Sequence, residues 1–159
     1  MRAGRLCKAD LVSEMVKEFD TLQGIMGGIY ASRMGESRNV ADGIREQYLP
    51  AGPDSPVPST IYGAFVSMAD KADTMAGCFG LGMIPTGTAD PYGLRRAALG
   101  IARIIADMGL RLNVFELLAQ AMEGYGQREW KILPEQALPR LEEFFTLRLK
   151  NHLIAGGAE

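Results

Sequence analysis

The densest chemistry in this 159-residue chain is a run of guanidiniums: between Pro91 and Arg111, four arginines (Arg95, Arg96, Arg103 and Arg111) stand against one acid, Asp107. A guanidinium is a planar, permanently charged donor suited to bidentate bonds with phosphate. Arg96 and Arg103 are seven residues apart and share one face of a helix, with Gly100 between them leaving that face bare for a phosphate backbone to approach. Asp107 lies four residues after Arg103 and can pair with it, so the same pattern also fits an ordinary solvated face. Arg95 sits at the edge of the apolar stripe and is the best placed of the three for an internal ion pair.

Other reactive chemistry is sparse. The one histidine, His152, lies late on an amphipathic helix and reads as a partly exposed side chain. No Ser-His-Asp or Cys-His combination is near the motif-rich half, and no Gly-x-x-x-x-Gly-Lys-Thr loop occurs to cradle phosphates. Asp10, Glu14, Asp70 and Asp73 form acidic pairs on helices, and a carboxylate pair without imidazoles is a poor transition-metal site. The plainer reading of Asp70 and Asp73 is a surface network with Lys71 and nearby arginines. No catalytic residue, metal ligand or cofactor site is therefore assigned within the chain. Cys7 and Cys78 are far apart in sequence and suit reduced thiols, with a disulfide between them left open.

Helices must position these residues. Pro85 and Gly87 break regular structure; Asp90 is expected to be the N-cap, with Pro91 at the first helical position. From there Leu94, Ala98, Ile101, Ile105 and Met108 recur at the spacing of one buried face. Val12, Met15, Val16 and Phe19 give an earlier stripe, a short glycine-softened helix follows from Leu22 to Ala31, and Val40, Ile44 and Tyr48 mark a third. Prolines 50, 53, 56 and 58 enforce an extended loop. Ser59 or Thr60 then caps a long helix running through Phe79, with Ile61, Ala64, Phe65, Met68, Ala72, Met75 and Phe79 inward. Asn113 with Glu116 forms a capping box for a helix burying Val114, Leu117, Leu118 and Ala121, ended by Gly124 and Gly126. A last helix runs from about Pro139 to Ile154, closed by Gly156. No strand-like alternation appears. The expected class is all-α, a single domain over 1–159, with helices in 1–82 around a Pro-rich loop at 49–58 and the capped Arg-bearing helix with two more in 83–155.

Composition agrees with a globular chain. Hydrophobic residues make up 47% and the formal charge is −2, so any attraction to nucleic acid is local rather than global. No apolar run reaches membrane-spanning length, no signal-peptide pattern opens the chain, and a cytoplasmic protein without membrane association is expected. The abrupt helical start after Met1-Arg2-Ala3 and the stop at Gly156-Gly157-Ala158-Glu159 suggest a piece of a longer protein.

Four ordered segments carry a resemblance: Lys8-Ala9-Asp10, Glu14 to Gly24, Ala69-Asp70-Lys71-Ala72-Asp73-Thr74, and the Pro85 to Gly100 run containing Pro-Thr-Gly-Thr-Ala-Asp-Pro and Leu-Arg-Arg-Ala-Ala-Leu-Gly. Together they resemble the beta subunit of bacterial two-subunit glycyl-tRNA synthetase. The resemblance covers the chain well to about Arg111 and loosely beyond. Gly27-Gly28 stands where the family pattern has Gly-Arg, and Gly93 where it has alanine. The first departure removes one RNA contact and the second weakens the helix start. The resemblance implies an enzyme that joins glycine to its tRNA using ATP, a heterotetramer whose aminoacylation core lies in the separate alpha subunit. This region would be a non-catalytic, tRNA-facing or scaffold part of beta. Arg96, Arg103, Arg95 and Lys71 are its candidate tRNA contacts. Lys8-Ala9-Asp10 and Ala69-Asp70-Lys71 further resemble the aspartate-bearing helices of HD-type metal phosphohydrolases, with alanine where the histidine falls. Asp10 and Asp70 would then be degenerate HD-like positions in an HD-like fold. The alternative is an active HD-type metal-dependent phosphohydrolase.

Overall fold

The computed structural model describes residues 2–126 and 128–155, with side chains described as far as 151. His152 and the closing Gly156 expected above therefore lie outside the described side chains and residues. Every regular element among the described residues is helical: α1 (Arg2–Leu6), α2 (Glu14–Glu18), α3 (Ile25–Arg33), α4 (Arg38–Arg45), α5 (Ile61–Gly80), α6 (Leu94–Asp107), α7 (Val114–Glu123) and α8 (Pro134–Ala155), with 3-10 turns at Ala9–Val12 and Asp20–Leu22. The chain is all-α. Its packing groups it into two compact units, Met1–Asp70 and Lys71–Glu159, with the boundary inside α5.

In the first unit, α3 and α4 pack closely because glycine lets them. A Cβ on Gly28 would lie 2.8 Å from the Ala41 carbonyl oxygen, and one on Gly27 would lie 2.8 Å from Ile44 Cγ2. Ala3, Cys7, Ala31, Ala41 and Ile44 form the core between α1, α3 and α4. The Val12–Phe19 stripe does not form. Val16 is buried, but Val12, Met15 and Phe19 are exposed, Val12 at 77%. The chain there is broken into a 3-10 turn and the five-residue α2, too short for one continuous buried face.

The start of α5 is held by Glu46. Its carboxylate accepts from Ser59 N (3.1 Å), Ser59 Oγ (2.5 Å), Thr60 N (3.1 Å) and Thr60 Oγ1 (2.6 Å), while Thr60 Oγ1 accepts from Gly63 N at 3.0 Å. These bonds satisfy amides that a helix start leaves without partners. Gly63 is needed for the approach, since a Cβ there would lie 2.6 Å from Glu46 Cβ. Along α5, Ala64, Met68, Ala72, Met75 and Phe79 are buried as the spacing predicts, but Ile61 and Phe65 are exposed.

In the second unit, α6 and α7 pack on α8 around Leu94, Ala98, Ile101, Ile104, Leu118, Leu141 and Phe145. The α6 stripe is turned from the expected one: Ile104 is buried and Ile105 only half-buried. On α7 the buried pair is Leu118 and Met122, with Val114, Leu117 and Ala121 half-buried. The Asn113 side chain accepts from Phe115 N at 3.0 Å and donates to Glu116 Oε1 at 3.1 Å. α8 begins at Pro134 rather than Pro139. Pro134 occupies a first-turn position that needs no N–H, and Pro139 is carried inside the helix at the loss of one bond.

Burial pushes the Glu46 carboxyl up, but the bonds from Ser59 and Thr60 outweigh it and hold the group below its ordinary value of 4.5. A lowered carboxyl stabilises the fold above that value and loses its effect as pH falls through the folded one. Glu46→Ala should cost about 2 kcal/mol near neutrality. Urea midpoints should show the gap to wild type narrowing as pH falls below 4.5 and through the lower folded value.

Candidate functional site

The Arg-bearing helix is built from its loop. A turn joins Ala89 N to the Thr86 carbonyl (3.0 Å), and a second joins Gly93 N to the Asp90 carbonyl (3.1 Å). Gly93 has φ +66°, a left-handed conformation that glycine adopts freely. The α-helix therefore starts at Leu94, not at Pro91, and Gly93 is its N-cap residue. The glycine that looked like a weakness is the residue this turn requires. Asp90 acts across the turn: its carboxylate accepts from Leu94 N at 2.8 Å and Arg95 N at 2.9 Å. Arg95 reaches the other way, donating to the carbonyls of Gly87 (2.6 Å) and Ala89 (3.2 Å). Its guanidinium straps the loop that Asp90 anchors.

The candidate cations separate. Arg96 is exposed on α6 and its guanidinium lies over Gly93, where a Cβ would be 2.8 Å from Nη2. Arg103 is half-buried and engaged by a neighbour. Lys71 is buried, 8% exposed, and engaged. Gly100 is buried rather than an open notch between the arginines. Arg96 is thus the cation of α6 best placed to meet an external anion.

The two HD-like aspartates are both committed to the protein. Asp10 is 2% exposed, and its Oδ2 accepts from Gly24 N (2.7 Å) and Gly27 N (3.0 Å), closing the N-terminus of α3. Its Oδ1 is buried without a hydrogen-bond partner. Asp70 pairs with Lys8 at 2.7 Å, and the Lys8 ammonium lies 4.1 Å from the centre of the Tyr48 ring. Burial lowers the Lys8 ammonium, but the Asp70 and Tyr48 contacts outweigh it and hold it above its ordinary value. Asp10 Oδ2 is filled by two amides and Asp70 is paired with lysine. Among the described residues no three His, Cys, Asp or Glu side chains gather to hold one. Cys7 and Cys78 are both free and buried.

A second feature of the same unit had only a faint signal in the sequence: two glycines three apart on α5. Gly77 seats the Tyr125 hydroxyl and Gly80 seats the Trp130 ring, each where a Cβ would collide with the aromatic. Tyr125 donates to the Asp73 carbonyl at 3.0 Å. Lys131 N and Ile132 N donate to the Gly80 carbonyl at 3.0 and 2.9 Å. The Tyr125 and Trp130 rings meet edge to face, 5.1 Å between centres. Beside them opens a groove of about 430 Å³, its wall completed by Asp73, Cys78, Leu81, Met83 and Arg128.

The second unit thus offers one exposed arginine near the start of α6, and in the first unit Asp10 and Asp70 bond to backbone amides and to lysine. The glycyl-tRNA synthetase beta subunit family model matches residues 1–159. The chain is 71% identical over 158 residues to a glycine–tRNA ligase beta subunit of Nitratidesulfovibrio vulgaris (strain DSM 19637 / Miyazaki F), covering 99% of this chain and 22% of that protein. It is 68% identical to one of Oleidesulfovibrio alaskensis, over 99% of this chain and 23% of that protein. It is 48% identical to one of Halalkalibacterium halodurans, over 96% and 22%. The chain belongs to the glycyl-tRNA synthetase beta subunit family, and it spans under a quarter of the length of these relatives.

Asp90→Ala removes two amide acceptors at once and should cost on the order of 1 kcal/mol, seen as a lower denaturant midpoint with an unchanged slope. Tyr125 should titrate above the ordinary tyrosine value of 10. Burial first, then Asp73, pushes its hydroxyl up to about 12. The neutral form is favoured in the fold, so this stability is present below the ordinary value of 10 and drains away as pH rises above it. Ultraviolet titration of tyrosinate should show a late step that Tyr125→Phe removes.

Proposed function

We propose that this chain is the part of a glycine–tRNA ligase beta subunit that presents α6 to tRNA. The whole enzyme charges tRNA with glycine using ATP, in a heterotetramer with an alpha subunit that holds the aminoacylation core. This portion takes no part in catalysis and binds no cofactor of its own. Its setting is the cytoplasm; no helix among the described residues is long and apolar enough to cross a membrane. Family membership supports the reading at the level of the enzyme. For the portion itself, the observation that carries it is Arg96: an exposed guanidinium at the start of a helix fixed by Asp90, Gly93 and Arg95. Such a group contacts phosphate without an ordering cost in the backbone that holds it. Of the other candidates, Arg103 adds to the same face, whereas Arg95 and Lys71 serve the fold.

The scaffold reading also has an observation in its favour, since Arg95, Arg103 and Lys71 are all engaged within the protein. An HD-type phosphohydrolase has less support, because Asp10 and Asp70 are committed to amides and lysine.

The two remaining readings part in the assembled enzyme. Over a salt series, Arg96→Ala should weaken tRNA binding and reduce the slope of log affinity against log salt by about one, with no change in melting temperature. Arg103→Ala should show a smaller binding loss and some loss of stability. If the double variant melts far lower while affinity and slope stay at wild-type values, the arginines are structural and the scaffold reading replaces this one.

A further inference from the structure

We infer that the groove beside Trp130 receives an unstacked RNA base bearing an exocyclic amine, with Arg128 on the adjoining phosphate; the inference rests on the tRNA-facing reading above. The aromatic pair is pre-set. Tyr125 is held by its bond to the Asp73 carbonyl and its seat on Gly77, and Trp130 by its seat on Gly80 and the backbone bonds of Lys131 and Ile132. Rings fixed in this way stack on a base without first losing rotamer freedom. The groove's volume of about 430 Å³ lies within the span of about 300–1,000 Å³ typical of small-ligand sites.

The rim decides what enters. Asp73, Arg128 and Glu129 line the groove and are exposed. An apolar side chain from a protein partner would use the aromatic wall and leave all three charges idle. A lysine or arginine would meet Arg128. A nucleotide uses every group: its base stacks on Trp130 or Tyr125, its exocyclic amine donates to a carboxylate of Asp73 or Glu129, and its phosphate takes the Arg128 guanidinium. Uracil has no exocyclic amine and is disfavoured by the same acids. This is the chemistry of single-strand recognition, in which unpaired bases are splayed onto aromatic rings.

The test uses the assembled enzyme of alpha and full-length beta subunits. Irradiation of its complex with tRNA at ultraviolet wavelengths should give a zero-length cross-link mapped by mass spectrometry to Tyr125 or Trp130. Single-stranded hexamers of A or C should compete for that cross-link at lower concentration than hexamers of U. Trp130→Ala should weaken tRNA binding about tenfold, and Trp130→Phe should restore it to within about threefold. Should Trp130→Ala fail to fold, the exposed residues still decide: Arg128→Ala should flatten the salt slope by about one, and Asp73→Asn with Glu129→Gln should erase the preference over U. The inference is overturned if no cross-linked peptide contains Tyr125 or Trp130 and Arg128→Ala binds tRNA with wild-type affinity and slope. A Tyr125 or Trp130 cross-link alongside wild-type binding by the Arg96 and Arg103 double variant keeps the groove and discards the α6 face. Weakened binding by that double variant with no cross-link in the groove does the reverse.

Discussion

The first turn of a helix leaves amide N–H groups that need acceptors, and this chain meets that need three times with a carboxylate placed outside the helix. Asp10 accepts from Gly24 and Gly27 at the start of α3, Glu46 from Ser59 and Thr60 at the start of α5, and Asp90 from Leu94 and Arg95 at the start of α6. The positive end of the helix dipole favours the same charge. Each contact is made close by a glycine: Gly27 beside Asp10, Gly63 beside Glu46, and Gly93 in the turn that brings Asp90 round. These three acids are held by the helix starts they close.

Much of this was legible because it is local. The long α5, the Thr60 cap and the Asn113 cap each follow from residues within a few positions of one another, and periodicity and capping read such patterns well. What escaped depends on partners distant in sequence or on a backbone angle. The role of Asp10 at the start of α3 is hidden because its amide partners lie 14 and 17 residues away. Gly93 looked like a poor helix former because its φ cannot be seen in its neighbours. Lys71 looked like a surface cation because its burial is set by packing, not by the acidic residues beside it. The Val12–Phe19 stripe failed for another reason. Its apolar spacing suits one helix, but the chain there turns at Ser13 into a five-residue helix, and most of the stripe faces outward.

Arg95 and Arg96 show how little separates an arginine tied to its own backbone from one left exposed. They are adjacent and equally charged, and both follow the same capped turn. One residue of helix rotates the side chain by about a quarter turn. That turns Arg95 onto the loop carbonyls of Gly87 and Ala89 and leaves Arg96 exposed above Gly93. Without the strapped Arg95 the loop carbonyls of Gly87 and Ala89 would lose the donor that ties them to α6.

The aromatic groove carries the same lesson about glycine into the other candidate surface. A glycine inside a helix costs about 0.5–1 kcal/mol relative to alanine, and α5 bears Gly77 in its last turn and ends on Gly80. Nothing in the helix itself asks for them, since alanine would strengthen it. The demand comes from Tyr125 and Trp130, whose hydroxyl and ring occupy the space a Cβ would fill. Only with both positions bare can the segment after α7 lie flat on α5, give Lys131 and Ile132 amides to the Gly80 carbonyl, and stand its two rings edge to face beside an open groove. The helix gives up local stability so that the two rings can seat on its bare positions.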